Sequence, residues 1–243
     1  MEGANTLLEQ AIDNNISWYR LISRCHRRNF QETADAWFCA TPMPPYYSNY
    51  HVRRRSNAHI DRIARLVKRT TLSRFSVADA YAELDAEQMR SLGFRSLFHA
   101  QWFGGTTSAA DPATAFRFRR VSNSSGLHAW EERWRLWSPT DFPRLFLPPL
   151  LEVAGLDFYD VLDQHNPVGG FVSFAADGVN ALSNAFVSRL AADAEIVGQM
   201  LAFITNAPGN HAATVGYGST AQVAGLAAWG QNPLGAHRVW LRG

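Results

Sequence analysis

The sequence predicts an α/β (α+β) fold made of two copies of one strand-and-helix unit, each of roughly 110–120 residues. Three observations predict it. Short aromatic and apolar runs alternate with helical periodicities along the chain. Landmarks recur at a slowly drifting offset: Asn49 and Asn184 are 135 residues apart, Tyr81 and Tyr217 136, Gly93 and Gly230 137, and Trp102 and Trp240 138. The string SNYHVRRR at residues 48–55 matches SNAFVSRL at residues 183–190 in Ser, Asn, Val and Arg. Small loop insertions explain the drift, and the expected units are residues 1–112 and 113–243.

Each element has a local reason. Residues 5–28 carry Leu7, Leu8, Ala11, Ile12, Ile16, Tyr19 and Ile22 at helical spacing. Residues 29–40 become strand-like towards their end, and TPMPPYY at 41–47 is proline-stiffened chain that neither a helix nor a central strand can include. A short strand is expected over 49–53. A helix over 59–69 has Ile60, Ile63, Leu66 and Val67 on one face and a basic opposite face. A strand over 75–81, a helix over 85–92 closed by Gly93, and a strand over 96–103 complete the first unit. GGTTSAADPA at 104–113 reads as a boundary loop.

The second unit opens on the strand-like FRFRRVS. Trp130, Trp134 and Trp137, spaced by four and three, mark a helical face, with a strand as the alternative. Pro139, Pro143, Pro148 and Pro149 allow only short helical turns over 138–151. Residues 156–162 are a strand or turn, and 169–175 a strand. Asp177-Gly178 signals a hairpin into a strand over 179–188. A helix over 194–206, a turn over 208–211, a strand over 213–217, a Ser219-capped helix to Trp229 and a strand over 236–241 follow.

Composition narrows the function classes. With 47% hydrophobic and 18% charged residues the chain can bury a large core and is not a disordered type. No apolar run approaches the roughly 20 residues that span a bilayer, and the first residues lack the basic-then-apolar order of a secretion signal. Cys25 and Cys39 lie far from any zinc-like spacing, so reduced thiols, a cytoplasmic setting and no metal site are expected. Residues 1–120 hold 17 Arg and Lys against 11 Asp and Glu, and residues 121–243 hold 6 against 10. A basic half can attract nucleic acid, or the two halves can dock through faces of opposite charge. There is no G-x-S-x-G, H-E-x-x-H or P-loop. His165, His211 and His237 stand in separate segments with no carboxylate at triad or metal spacing.

The stretch 179–194 runs from strand through small-residue loop to helix, the arrangement in which backbone amides converge on phosphate. Together with GGFVSFAADGVNALSNAFVS, AATVGYG and STAQVAGLAAWGQNPLGAHRVWL, it resembles the GNAT acyltransferase fold, which moves acyl groups from coenzyme A to amines. The resemblance covers nearly all of the second unit and, less clearly, the first. It implies that each unit is a mixed, mostly antiparallel twisted sheet flanked by helices, in a tandem arrangement of which one half is often a scaffold without activity. It also implies acetyl-CoA or another acyl-CoA as cosubstrate, lying against a strand splayed from its neighbour. A small-molecule or peptide amine is the implied acceptor.

By that resemblance Ala185, Phe186 and Val187 lie at the oxyanion contact. Arg189, Ala192, Asp193 and Ala194 occupy the Q/R-x-x-G-x-G/A pyrophosphate loop, with alanines in place of its glycines and an added acid. Gln222-Val-Ala-Gly225-Leu-Ala227 matches the loop literally, but inside the last helix, where small residues serve close packing. Arg53, Arg54 and Arg55 hold the loop position in the first unit, where they could bind pyrophosphate or form a solvated basic edge. The family's late-helix tyrosine would fall near Gly225–Leu226, where there is none. Tyr217 could instead supply a hydroxyl to the departing thiolate, its other reading being a core tyrosine echoing Tyr81. Ser219 is a catalytic candidate or a helix cap. Two alternatives stand beside the acyl-CoA enzyme: a degenerate fold kept for binding or scaffolding, and a transferase taking its acyl group from a tRNA or carrier protein.

Overall fold

The computed structural model describes residues 6–107, 116–187, 194–207 and 212–243. The first half supplies α1 (Leu7–Cys25), β1 (Gln31–Glu32), β2 (Ala36–Phe38), β3 (Tyr50–Val52), α2 (His59–Arg69), β4 (Phe75–Asp79), α3 (Ala86–Ser91) and β5 (Phe94–Gly105). The second supplies β6 (Phe116–Arg120), α4 (Ser124–Arg135), β7 (Leu156–Asp163), β8 (Asn166–Ala176), β9 (Val179–Val187), α5 (Ala194–Thr205), β10 (Thr214–Gly218), α6 (Thr220–Gly225) and β11 (Asn232–Arg242). Short 3-10 turns at Pro148–Glu152 and Ala227–Trp229 fill the remaining places. This is the mixed, mostly antiparallel α/β architecture expected.

Local chemistry fixes the elements. Thr6 and Glu9 form a capping box at the start of α1, whose buried face includes Ala11, Ile12, Ile16, Tyr19 and Ile22. Asp85 and Ser219 cap α3 and α6. Gly93 and Gly230, the matched landmarks, both take positive φ, at 84° and 75°; each ends its helical segment as only glycine does cheaply. Asp177 and Gly178, at φ 53° and 79°, make the hairpin turn between β8 and β9. One expectation needs correction and one open choice is settled. The α4 face ends at Trp134: Trp137 lies beyond the helix and is exposed. The uncertain 156–162 stretch is a full strand, β7, held between β6 and β8.

The strands join in one sheet of order β1-β2-β3-β4-β11-β5-β10-β9-β8-β7-β6. Outward from the β11–β5 junction the order mirrors itself: β4 answers β10, β3 answers β9, β2 answers β8 and β1 answers β7. The last strand of each half is exchanged. β11 lies between β4 and β5, and β5 between β11 and β10, all antiparallel. β4 and β5, consecutive in sequence, therefore never touch as neighbours. The parallel pairs β3–β4 and β9–β10 are each held at only two positions before the strands diverge.

The sheet carries a core on each face in the second half. Neighbouring residues divide between them: Trp102 joins Trp18, Trp130 and Phe174 on one side, while Phe103 joins Leu182, Val223 and Leu226 on the other. α1 is tied across to the second half. Asn14 Nδ2 donates to Phe174 O at 3.0 Å and Ala176 O at 3.1 Å, and Ser17 Oγ donates to Asp177 at 2.6 Å. The proline-rich chain after α4 is anchored on Glu131, which is fully buried, pairs with Arg135 and Arg144, and accepts from the amides of Leu145 and Phe146. Among the described residues no helix is long and apolar enough to cross a membrane.

Candidate functional site

Two crevices open where parallel strands part, and they are filled differently. In the first half, Arg53 and Arg54 follow β3 and both bind Asp13 of α1, at 2.8 and 2.6 Å. Burial raises the Asp13 carboxyl, but hydrogen bonds and charge from Arg54 and Arg53 outweigh it and leave the pKa below the ordinary value. Tyr81, just past β4, donates its hydroxyl to Arg53 O at 3.2 Å, bridging the two walls. His59, at the start of α2, lies 2.7 Å from both Tyr50 Oη and Arg54 O. Arg55 pairs with Glu83. Arg53 and Arg54 are thus committed to buried Asp13, while Arg55, in an exposed pair with Glu83, stays a solvated edge.

In the second half the crevice is open. Beyond Ala181, β9 has no strand partner on its β10 side among the described residues. Asn180, whose amide donates to Ala213 O at 3.0 Å, is the first contact position and Ala181, opposite Val215, the last. A bulge follows: the register with β8 shifts between Val172↔Ser183 and Gly170↔Phe186, with Asn184 at φ 50°. On the opposite wall Gly216 gives the room, since a Cβ there would stand 2.6 Å from the Phe103 ring and 3.0 Å from Leu182 O. The result is a cavity of about 320 Å³. Ala181 and Leu182, from opposite faces of β9, both line it, so it passes through the sheet.

One end lies among Ala194 and Val197 of α5 and Gln222 and Leu226 of the α6 region. These two helices meet closely: a Cβ on Gly225 would sit 2.7 Å from the Ala194 Cβ. Gly225, in the Gln222–Ala227 string, thus serves helix contact. The other end is aromatic, walled by Trp18, Tyr46, Trp134 and Phe174, with Asn14, Asn15 and Ser138 as polar groups. Among the described lining residues tyrosine is the only titratable type.

The expected site residues fall into four groups. Ala185, Ala194 and Tyr217 line the cavity. Phe186 and Val187 continue β9 beyond the bulge with buried side chains, Phe186 packing edge-on to Trp130 at 5.1 Å. Ser219 Oγ accepts from the Gln222 amide at 3.3 Å while its own amide donates to Gln222 Oε1 at 2.8 Å, so its hydroxyl serves the α6 cap. Arg189, Ala192 and Asp193 lie outside the described residues.

Tyr217 is the group best placed for chemistry. Its ring packs against Trp102 and His237 at 5.1 and 5.2 Å. It nevertheless keeps 43% of its surface, at a position that lines the cavity. Burial, with buried Tyr19 adding, raises its pKa above the ordinary value of 10, so it holds its proton at neutral pH. Among the described residues its hydroxyl has no hydrogen-bond partner. Sequence reasoning missed Asn14, Asn15, Trp18 and Tyr46, which belong to the first half. The available signals were two adjacent asparagines in an apolar helix and a tyrosine pair after two prolines.

No family model matches this sequence, and no curated protein matches it. Solved structures do, at low identity. A functionally unknown conserved protein from Staphylococcus epidermidis is 15% identical with a TM-score of 0.61, over 88% of this chain and 94% of that one. A GCN5-related N-acetyltransferase from Kribbella flavida is 10% identical with a TM-score of 0.62, over 94% and 95%. A GNAT-family protein from Novosphingobium aromaticivorans is 10% identical with a TM-score of 0.54, over 97% of each chain. These likenesses extend over nearly the full length of both chains, and what they establish is the architecture: this chain has the GNAT-like fold.

Proposed function

We propose that the protein is an acyl-CoA-dependent N-acyltransferase whose donor enters the crevice between β9 and β10, with acetyl-CoA as donor and an amine as acceptor. One observation carries the reading: of two equivalent crevices, the first is closed by Asp13, Arg53, Arg54 and Tyr81, and the second is an open passage through the sheet. On this reading the first half is scaffold and the second holds the donor. Ala185, Phe186 and Val187 form the part of β9 with no strand partner on its β10 side among the described residues, from which an amide meets the developing oxyanion. Tyr217 gives a proton to the departing sulfur. Ala194, at the start of α5, with Arg189, Ala192 and Asp193 before it, receives the pyrophosphate. The free thiols of Cys25 and Cys39 suit a reducing, cytoplasmic setting.

A second reading, a fold retained for binding alone, draws support from the cavity wall, which offers neither carboxylate nor imidazole among its described residues. A transferase using a tRNA- or carrier-bound donor is less favoured, because Arg53–Arg55 are already paired. The deciding experiment is acetyl-CoA binding by thermal shift together with a thiol-release assay over an amine panel. Ala185→Trp, at an exposed position on the cavity wall, should abolish the shift while leaving the circular dichroism unchanged. Binding without turnover of any acyl donor would favour the second reading; no binding at millimolar acetyl-CoA would sink the first.

A further inference from the structure

The donor crevice accounts for only one end of the cavity. The other end is built from parts of the chain far from it in sequence, and its chemistry is of one kind. Tyr46 is brought there by the Pro44-Pro45 turn, closed by the Tyr47 amide donating to Pro44 O at 3.2 Å. It is held in a left-handed conformation, φ 70°, that a tyrosine rarely adopts. Its hydroxyl donates to Pro139 O at 2.7 Å, and its ring meets Trp134 edge-on at 5.4 Å. Tyr46 keeps 57% exposure although it is pinned at both ends, and so presents a fixed ring to the cavity mouth. Opposite, Trp18 is fixed by its indole N–H donating to Tyr47 Oη at 2.9 Å and by packing on Phe174 at 6.1 Å.

From this arrangement we propose that the aromatic end is the acceptor site and that it takes a neutral arylamine, seated against the exposed Tyr46 ring and the small surface that the otherwise buried Trp134 and Trp18 leave at the cavity wall, rather than an alkylammonium ion or a basic peptide. The proposal rests on the acyl-transfer reading. Rigid aromatic walls offer ring faces and edges to a flat aromatic ligand. Ser138 offers a neutral polar group at this end, while Asn14 donates to Phe174 O and Ala176 O and Asn15 is hydrogen-bonded to His51. Ring faces attract a cation, but an ammonium ion there would still be desolvated without a carboxylate partner among the described residues. It would also have to lose a proton before attack, and the described wall provides no base. An arylamine arrives with its lone pair free. Its nitrogen bonds to the thioester carbonyl carbon, and the carbon–sulfur bond breaks. The sulfur keeps the electron pair and takes the Tyr217 proton, and the proton leaving the nitrogen restores the Tyr217 hydroxyl. The balance closes as arylamide and free thiol, with no further reactant.

The test uses the full chain and three probes without coenzyme: p-anisidine, 4-methoxybenzylamine, which carries the same ring on an alkylammonium, and spermidine. Calorimetry should give p-anisidine the tightest binding, by at least about tenfold over the benzylamine. Trp134→Ala and Tyr46→Ala should each weaken it about two- to tenfold, and Tyr46→Phe, which keeps the ring, should largely retain it. The acetyl-CoA thermal shift should survive in all three variants, which also certifies their folding. Equal or tighter binding of 4-methoxybenzylamine or spermidine would overturn the proposal, as would indifference of p-anisidine to both alanine variants. Turnover with alkylamines alone would overturn it while leaving acyl transfer intact. Binding of p-anisidine with no acetyl-CoA binding would remove the transferase reading and leave the aromatic site standing.

Discussion

At the residue scale, two sets of side chains make separable predictions. Tyr217 holds its proton and faces the cavity, so Tyr217→Phe should lower kcat about 10²-fold or more while acetyl-CoA affinity stays within about twofold. An unchanged kcat would return Tyr217 to the role of a core tyrosine. The buried imidazoles of His51 and His237 stack at 6.5 Å, beside Tyr19 and Asn15 on one side and Phe98, Trp102 and Tyr217 on the other. Burial lowers them from 6.5 to about 4 and about 3, with His51 adding to the shift of His237 and a smaller opposing pull from Asp13 on His51. Below pH 6.5 the unfolded chain binds protons that the folded chain refuses. Stability should therefore be complete above that pH and fall on the way down to about 4 and 3, by a few kcal/mol. Urea midpoints at stepped pH should show this slope, and the double variant His51→Gln, His237→Gln should flatten it. The carboxylate of Asp13, held low by Arg54 and Arg53 against its burial, loses its contribution only in the more acid range.

At the element scale, the two helices beside the open crevice meet through absent side chains. Gly225 leaves room for Ala194, and Gly198 lies under the Trp229 indole, where a Cβ would come within 2.1 Å. Gly198→Ala must move Trp229 and should cost about 1–3 kcal/mol, read as a lowered urea midpoint. Gly225→Ala presses on the first residue of α5, so it should also weaken acetyl-CoA binding. A variant as stable and as tight-binding as the parent would show that α5 yields more freely than its contacts indicate. Most elements were legible because helical and strand periodicities are local properties: α2 spans His59–Arg69 as its apolar stripe indicates. Ends were less legible. Trp137 continues the α4 spacing in sequence, but α4 ends at Arg135, and the side chain turns outward.

At the scale of the whole molecule, strand exchange makes each half depend on the other. Without the first half, β10 and β11 lose β5 and β11 also loses β4; without the second, β4 and β5 lose the strand between them. Residues 1–112 or 113–243 expressed alone should therefore not give a folded monomer. The intact chain should unfold in one transition with coincident tryptophan fluorescence and far-ultraviolet circular dichroism. A well-dispersed, monomeric isolated half would refute this dependence. The cavity follows the same logic, since α1 and Tyr46 of the first half wall a passage whose other end belongs to the second.

The amino-acid sequence by itself determined the repeated order of strands and helices, the caps and hairpin turn, and the stretch at which the open crevice lies. Those features rest on spacing and on the conformational demands of single residues, which act over a few positions. Only the tertiary structure decided that the halves trade their last strands, that one crevice is sealed by Asp13 and the other open, and that the open one ends in an aromatic chamber. Each of these depends on groups 30 or more residues apart, such as Arg53 on Asp13 or Tyr46 on Pro139. Meetings at that distance are set by which surfaces the whole fold can bury together.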